Sequence, residues 1–248
     1  KRFSNKPNPF YIFQADDYEG LLCSFAELMA NLNNPMISKD DKILLDTQAG
    51  KKSLQLLVDL VNRYQISPQK VTYLRENESY RYYAENNGVF IRGWKSMIDD
   101  DNDFLSTKKR ANIRMVQLPH FKGTKPGMVF GGWNLMISKF SEKRPEVIKF
   151  AKFLLSEESQ KLMFEEGSYL PTNKKLYTDA KFVKRYPDLL YFKNLYQFGV
   201  HRPFIEDYTN VSDILSYYLN RAIKKEISVD DALKEATRKI KEKVILVK

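Results

Sequence analysis

A single cysteine, Cys23, excludes an internal disulfide and leaves the redox compartment open, because low cysteine use suits the cytosol and many bacterial exported proteins alike. Flanked by Leu21, Leu22 and Phe25, it reads as a buried, inert thiol. There is no run of eighteen apolar residues; the longest, such as Val244-Ile245-Leu246-Val247, are too short to span a bilayer. The opening Lys1-Arg2-Phe3-Ser4-Asn5-Lys6-Pro7 carries charge but neither the apolar stretch of a signal peptide nor an initiating methionine, and reads as processed or truncated. The two histidines, His120 and His201, lie far apart without cysteine partners, which is poor zinc spacing. Asp99-Asp100-Asp101-Asn102-Asp103 imitates a calcium loop, but Phe104 stands where the turn glycine belongs and Arg110 where the closing glutamate belongs. GxSxG, phosphate-loop and dinucleotide motifs are also missing, so neither metal nor cofactor is expected.

What is present is a folding composition, 43% hydrophobic and 13% aromatic, enough for one large core or two modest ones. Lysine and arginine exceed aspartate and glutamate by 41 − 31 = +10, which suits acidic partners in principle. Their distribution speaks against nucleic acid. Lys234, Arg238, Lys239, Lys241 and Lys243 alternate with Glu235 and Glu242, the pattern of a solvated helix face.

The only two tryptophans share a context. Trp94 closes Val89-Phe90-Ile91-Arg92-Gly93-Trp94, and Trp133 sits in Val129-Phe130-Gly131-Gly132-Trp133-Asn134-Leu135-Met136-Ile137. A glycine at a strand end lets backbone approach a ligand, and the neighbouring indole offers a stacking face for a ring-bearing ligand such as a sugar. The alternative is that both indoles are core residues.

Hydrophobic spacing predicts an α/β chain. A strand over Phe10 to Phe13 leads to a helix carrying Leu21, Leu22, Phe25, Leu28, Met29 and Leu32, and a second helix carries Leu54, Leu57, Val58 and Val61. A polar helix spans Glu76 to Asn86, ahead of the Trp94 strand. A strand is expected over Ile113 to Pro119 and another at Trp133; Arg144-Pro145-Glu146 opens a helix, and another runs from Ser156 to Gly167. The rest is helical, over Phe182 to Tyr186, Leu189 to Phe198, Ser212 to Lys225 and Val229 to Lys243, the last capped by Ser228.

In order along the chain, Tyr18-Glu19-Gly20-Leu21, Gly88-Val89-Phe90-Ile91-Arg92-Gly93-Trp94, Gly131 to Lys139, Phe150 to Gln160 with Gly167 to Thr172, and Arg202-Pro203 through Tyr208 resemble the extracellular solute-binding proteins of bacterial and archaeal ABC importers, in the maltose-, trehalose- and maltodextrin-binding group. The resemblance spans nearly the whole chain. It implies an α/β, type II periplasmic-binding-protein-like fold: mostly the carboxyl-terminal lobe, from residues 1–130 and 180–248, plus a late segment of the amino-terminal lobe, 133–178. The start of that first lobe has no counterpart here. Half of the cleft is then expected from a missing segment or a second chain, unless the fold has been put to another use.

The resemblance implies a non-enzymatic, extracytoplasmic protein that binds an oligosaccharide and meets the permease subunits of an importer, with no nucleic-acid partner. Trp94 and Trp133 are expected as platforms, Gly131 and Gly132 as a close backbone approach, Arg202 as a fork onto two hydroxyls, and Tyr18 and Glu19 as lining at a helix start. Each has a plainer alternative: an ion pair of Arg202 with Glu206 or Asp207, a packing tyrosine at Tyr18, a first-turn acid at Glu19. Arg92 reads as a structural ion-pair partner. The competing functions are a binder of acidic peptides and a glycoside-processing enzyme, although no motif sets two carboxylates across one site.

Overall fold

The computed structural model describes residues 10–40, 42–98 and 105–246, so the acidic run Asp99 to Asp103 lies outside the described residues. The chain divides into two compact units, one of residues 1–130 and 198–248 and the other of Gly131–Gln197.

In the larger unit, β1 (Tyr11–Ile12) pairs in parallel with β2 (Phe90–Ile91), Tyr11 opposite Phe90. β3 (Met128–Val129) pairs in parallel with β4 (Gly199–Val200), Met128 opposite Gly199. Such short ladders leave most of the packing to helices. The central one is α1 (Glu19–Asn31), buried on nearly every face because its sequence is apolar all round. Around it lie α2 (Gln48–Asn62), α9 (Tyr208–Ile223) and α10 (Val229–Lys241), the last against α2 and α9. Leu21, Leu22 and Phe25 are fully enclosed, and each contributes about 1.5–3 kcal/mol by burial. Thr47 caps α2 by accepting from Gly50 N at 3.1 Å, and Ser228 caps α10 by accepting from Asp231 N at 3.1 Å. The unit is completed by α3 (Glu76–Glu85) and α4 (Thr107–Ala111).

The smaller unit holds α5 (Arg144–Leu154), α6 (Glu157–Gly167), α7 (Ala180–Arg185) and α8 (Asp188–Leu195). Phe164, Phe182 and Tyr186 form a ring cluster with centroids 5.1–5.7 Å apart. Gln160 on α6 accepts from Thr172 N and Asn173 N, both at 2.9 Å, which fixes the turn after Leu170-Pro171. Residues 180–197 group with this unit and not with the larger one, since α7 packs against α8 and the 3₁₀ turn Lys174–Tyr177.

Two expected strands do not form. Residues 113–119 and 131–138 have no ladder partner among the described residues, and an isolated extended segment gains no hydrogen bonds to set against its entropy. At the other end, α9 starts four residues before Ser212, at Tyr208.

Candidate ligand-binding site

Parallel strands place the residues that follow them at one end, and in open α/β structures ligands gather beyond those carboxyl ends. Past β1 come Tyr18 and Glu19, past β2 Trp94, and past β4 Arg202, all within the larger unit.

Glu19 opens α1, and its carboxylate accepts three donors: Arg202 Nη1 at 2.7 Å, the Tyr208 hydroxyl and the Ser212 hydroxyl. Arg202 therefore pairs with Glu19, 183 residues away, and not with its neighbours Glu206 or Asp207. Its side chain stays one-third exposed, with Cζ 5.8 Å from the Tyr208 ring centroid. Burial first, and Glu19 second, push the Tyr208 hydroxyl far up in pKa.

Tyr18 precedes α1 in extended conformation and caps nothing with its side chain. Its ring folds back over Gly20, where an added Cβ would meet the hydroxyl at 2.1 Å. Arg75 Cζ lies 5.2 Å from the ring centroid, and Arg75 is itself paired with Asp16 at 2.8 Å. The Tyr18 hydroxyl is buried and has no hydrogen-bond partner among the described residues. Burial, then the Glu76 carboxylate, raise its pKa strongly.

Trp94 is half-buried. Its backbone N–H donates to the Tyr80 hydroxyl at 3.0 Å, its indole Nε1 points at Glu76 Oε1 at 3.5 Å, and Arg92 Cζ lies 5.3 Å from its ring centroid. Arg92 is buried in a structural ion pair, as its place in a strand suggested. Its Nε and Nη2 each donate to Glu27 at 2.9 Å, and its Nη1 donates to Gln14 Oε1 at 3.1 Å. Glu27 also accepts from Val129 N at 3.2 Å, so one carboxylate ties α1 to the ends of β2 and β3. The sequence held a signal for Glu27, a lone acid among Ala26, Leu28 and Met29 on a helix too apolar to leave it unpaired. Glu76 carried no such signal.

Gly131, Gly132 and Trp133 belong to the smaller unit. Trp133 is 89% exposed and so is no core residue, and nothing stands within 4 Å of a Cβ added at Gly132. The Cys23 thiol is buried, and burial chiefly pushes its pKa up to about 12. Among the described residues no group of three or more His, Cys, Asp or Glu is placed to hold a metal, and no helix is long and apolar enough to cross a membrane.

The larger unit is thus a helix-enclosed α/β frame with aromatic and paired polar side chains past its strand ends. Residues 11–190 match the bacterial extracellular solute-binding protein family, and the chain belongs to it. A probable ABC transporter-binding protein of Deinococcus radiodurans is 27% identical over 246 residues, covering 94% of this chain and 56% of the relative. The maltose-bound MalE3 of T. maritima superposes with a TM-score of 0.84 at 26% identity, covering 96% of this chain and 61% of that one. A solute-binding protein of Thermotoga lettingae, solved with α-D-tagatose, gives 0.80 at 22% identity over 94% and 58% of the two chains. The fold is thus of the type II periplasmic-binding kind, and the chain spans 56–61% of the length of these relatives.

Proposed function

We propose that this chain carries part of the carbohydrate site of an ABC-importer solute-binding protein that works outside the cytoplasmic membrane. The larger unit acts as the carboxyl-terminal lobe and Gly131–Gln197 as a portion of the amino-terminal one. The observation that carries the reading is the gathering of Tyr18, Glu19, Trp94 and Arg202 past the strand ends, in a chain 26% identical to a maltose-bound protein. Trp94 supplies an apolar face and Arg202 the directed donors, while Trp133 is a second, exposed indole. Glu19 already accepts from three donors, so its part is chiefly to hold Arg202 in place.

Sugar is favoured over an acidic peptide by the pairing of the local cations. Arg75, Arg92 and Arg202 already face Asp16, Glu27 and Glu19, which leaves little uncompensated positive charge there for an anionic ligand. Calorimetric titration of maltose, trehalose and maltotriose tests the reading, run on this chain and on a polypeptide extended to the relatives' length. Saturable sugar binding to the extended polypeptide, without product, supports it and dismisses glycoside turnover. Binding of glutamate-rich peptides in place of sugars overturns it. Partnership with permease subunits follows from the same reading and is tested by sugar-dependent stimulation of an importer's ATPase.

A further inference from the structure

We propose that Glu76, which no sequence motif marks, is a ligand-contacting carboxylate that takes hydroxyl groups of a solute lying against the Trp94 ring. The proposal rests on the carbohydrate reading above and names a specificity-determining group within it.

Glu76 is the first residue of α3 and half-buried. An ionised carboxylate offers about four acceptor positions. Among the described residues its two oxygens accept one hydrogen bond, from Trp94 Nε1 at 3.5 Å, which is long for such a bond. The neighbouring carboxylates are treated differently. Glu27 takes two bonds from Arg92 and one from Val129 N; Glu19 takes three donors; Asp16 is paired with Arg75. Among the described residues, Glu76 alone of these carboxylates has no ion pair and keeps spare acceptor capacity.

Its surroundings match a polyol better than an ion. The Trp94 indole lies beside it, fixed from behind by Arg92 at 5.3 Å and from its backbone by Tyr80. The Tyr18 hydroxyl stands near the same carboxylate: burial first, then the interaction with Glu76, raise its pKa. A half-buried carboxylate with open acceptor positions beside an aromatic face is what a pyranose-like ring needs: apolar C–H groups on the indole and hydroxyls donating sideways. Among the described residues no group of three or more His, Cys, Asp or Glu is placed to hold a bare cation here.

The test uses the polypeptide extended to the relatives' length, with Trp133→Phe so that Trp94 is the only indole in the stretch that this sequence covers. Glu76→Gln keeps a carbonyl oxygen for the Trp94 N–H but removes the charge and one acceptor. Sugar affinity is expected to fall by about 10- to 100-fold, the range for losing a hydrogen bond to a charged group. Trp94 emission in the ligand-free state and the unfolding midpoint should stay unchanged. Equal affinity in the Trp133→Phe background with and without Glu76→Gln overturns the proposal and leaves the carbohydrate reading intact. Absence of sugar binding even with both tryptophans and Glu76 in place overturns both. A loss of affinity accompanied by shifted ligand-free emission would show that Glu76 only holds the ring, and overturns the contact role too.

Discussion

Arg92 and Glu27 meet in a bidentate ion pair, Nε to Oε2 and Nη2 to Oε1 both at 2.9 Å, with side-chain exposures of 4% and 8%. The pair lies behind the Trp94 ring and joins α1 to the ends of β2 and β3. Removing one partner strands a buried charge. Glu27→Ala is expected to destabilise the chain by about 3–5 kcal/mol, measured by urea unfolding, whereas the Glu27→Leu, Arg92→Met pair should cost far less. A loss below about 1 kcal/mol for Glu27→Ala would contradict the pair's burial.

Glu19 joins the start of α1 to Arg202, Tyr208 and Ser212. Glu19→Ala leaves these donors to find water and should cost about 1–3 kcal/mol in stability. Arg202→Ala should spare stability more than Glu19→Ala does and weaken sugar binding more than it weakens the fold. Paired denaturation and titration measurements on the two variants separate holding from contacting, and the reverse ranking would exchange their roles.

Gly199 on β4 faces the Phe130 ring so closely that an added Cβ would sit 1.7 Å from Phe130 Cζ. Phe130 also lies 5.0 Å from the His201 ring and donates its backbone N–H to Val200 O at 2.9 Å. Gly199→Ala is expected to cost about 1–3 kcal/mol through overpacking, with Phe130→Leu recovering part of the loss. Strict additivity in this double-mutant cycle would show that the ring yields freely.

Cys23 should resist thiol reagents at pH 8 while the chain is folded and react at once in denaturant, because burial pushes its pKa from 9.0 up to about 12. The folded state holds this proton more tightly than the unfolded chain. The resulting stability is fully present below pH 9 and is lost as pH rises from 9 toward 12. Cys23→Ala should flatten that alkaline slope in a pH series of unfolding midpoints.

The two indoles should part company under substitution. Trp133, 89% exposed, contributes little to folding, so Trp133→Ala should change stability by less than about 0.5 kcal/mol while removing about 1–3 kcal/mol of sugar binding in the polypeptide extended to the relatives' length. Trp94→Ala should reduce both, since the ring is half-buried against Arg92. Unchanged affinity in Trp133→Ala with an intact fold would remove Trp133 from the site.

Local signals carried far along this chain. Ser228 with Asp230 and Asp231 marks the start of α10, Pro145 and Glu146 that of α5, and Ser156 that of α6, because capping and first-turn charge act within a few residues and are written beside the element they begin. Strand formation was less legible. Ile113 to Pro119 alternates and ends in proline as a strand would, yet it forms no ladder, because a strand depends on a partner that its own residues do not specify.

The sequence by itself determined most of the helices, the capped starts of α5, α6 and α10, the apolar identity of α1 and the ordered motifs that place the chain in its family, since each rests on neighbours a turn or two away. Only the tertiary structure decided which carboxylate meets which cation. Glu19 takes Arg202 across 183 residues and Glu27 takes Arg92 across 65, while among the described residues Glu76 accepts only from Trp94. Such pairings follow from how helices and strand ends pack, and a charge in sequence carries no label for the partner that burial will bring to it.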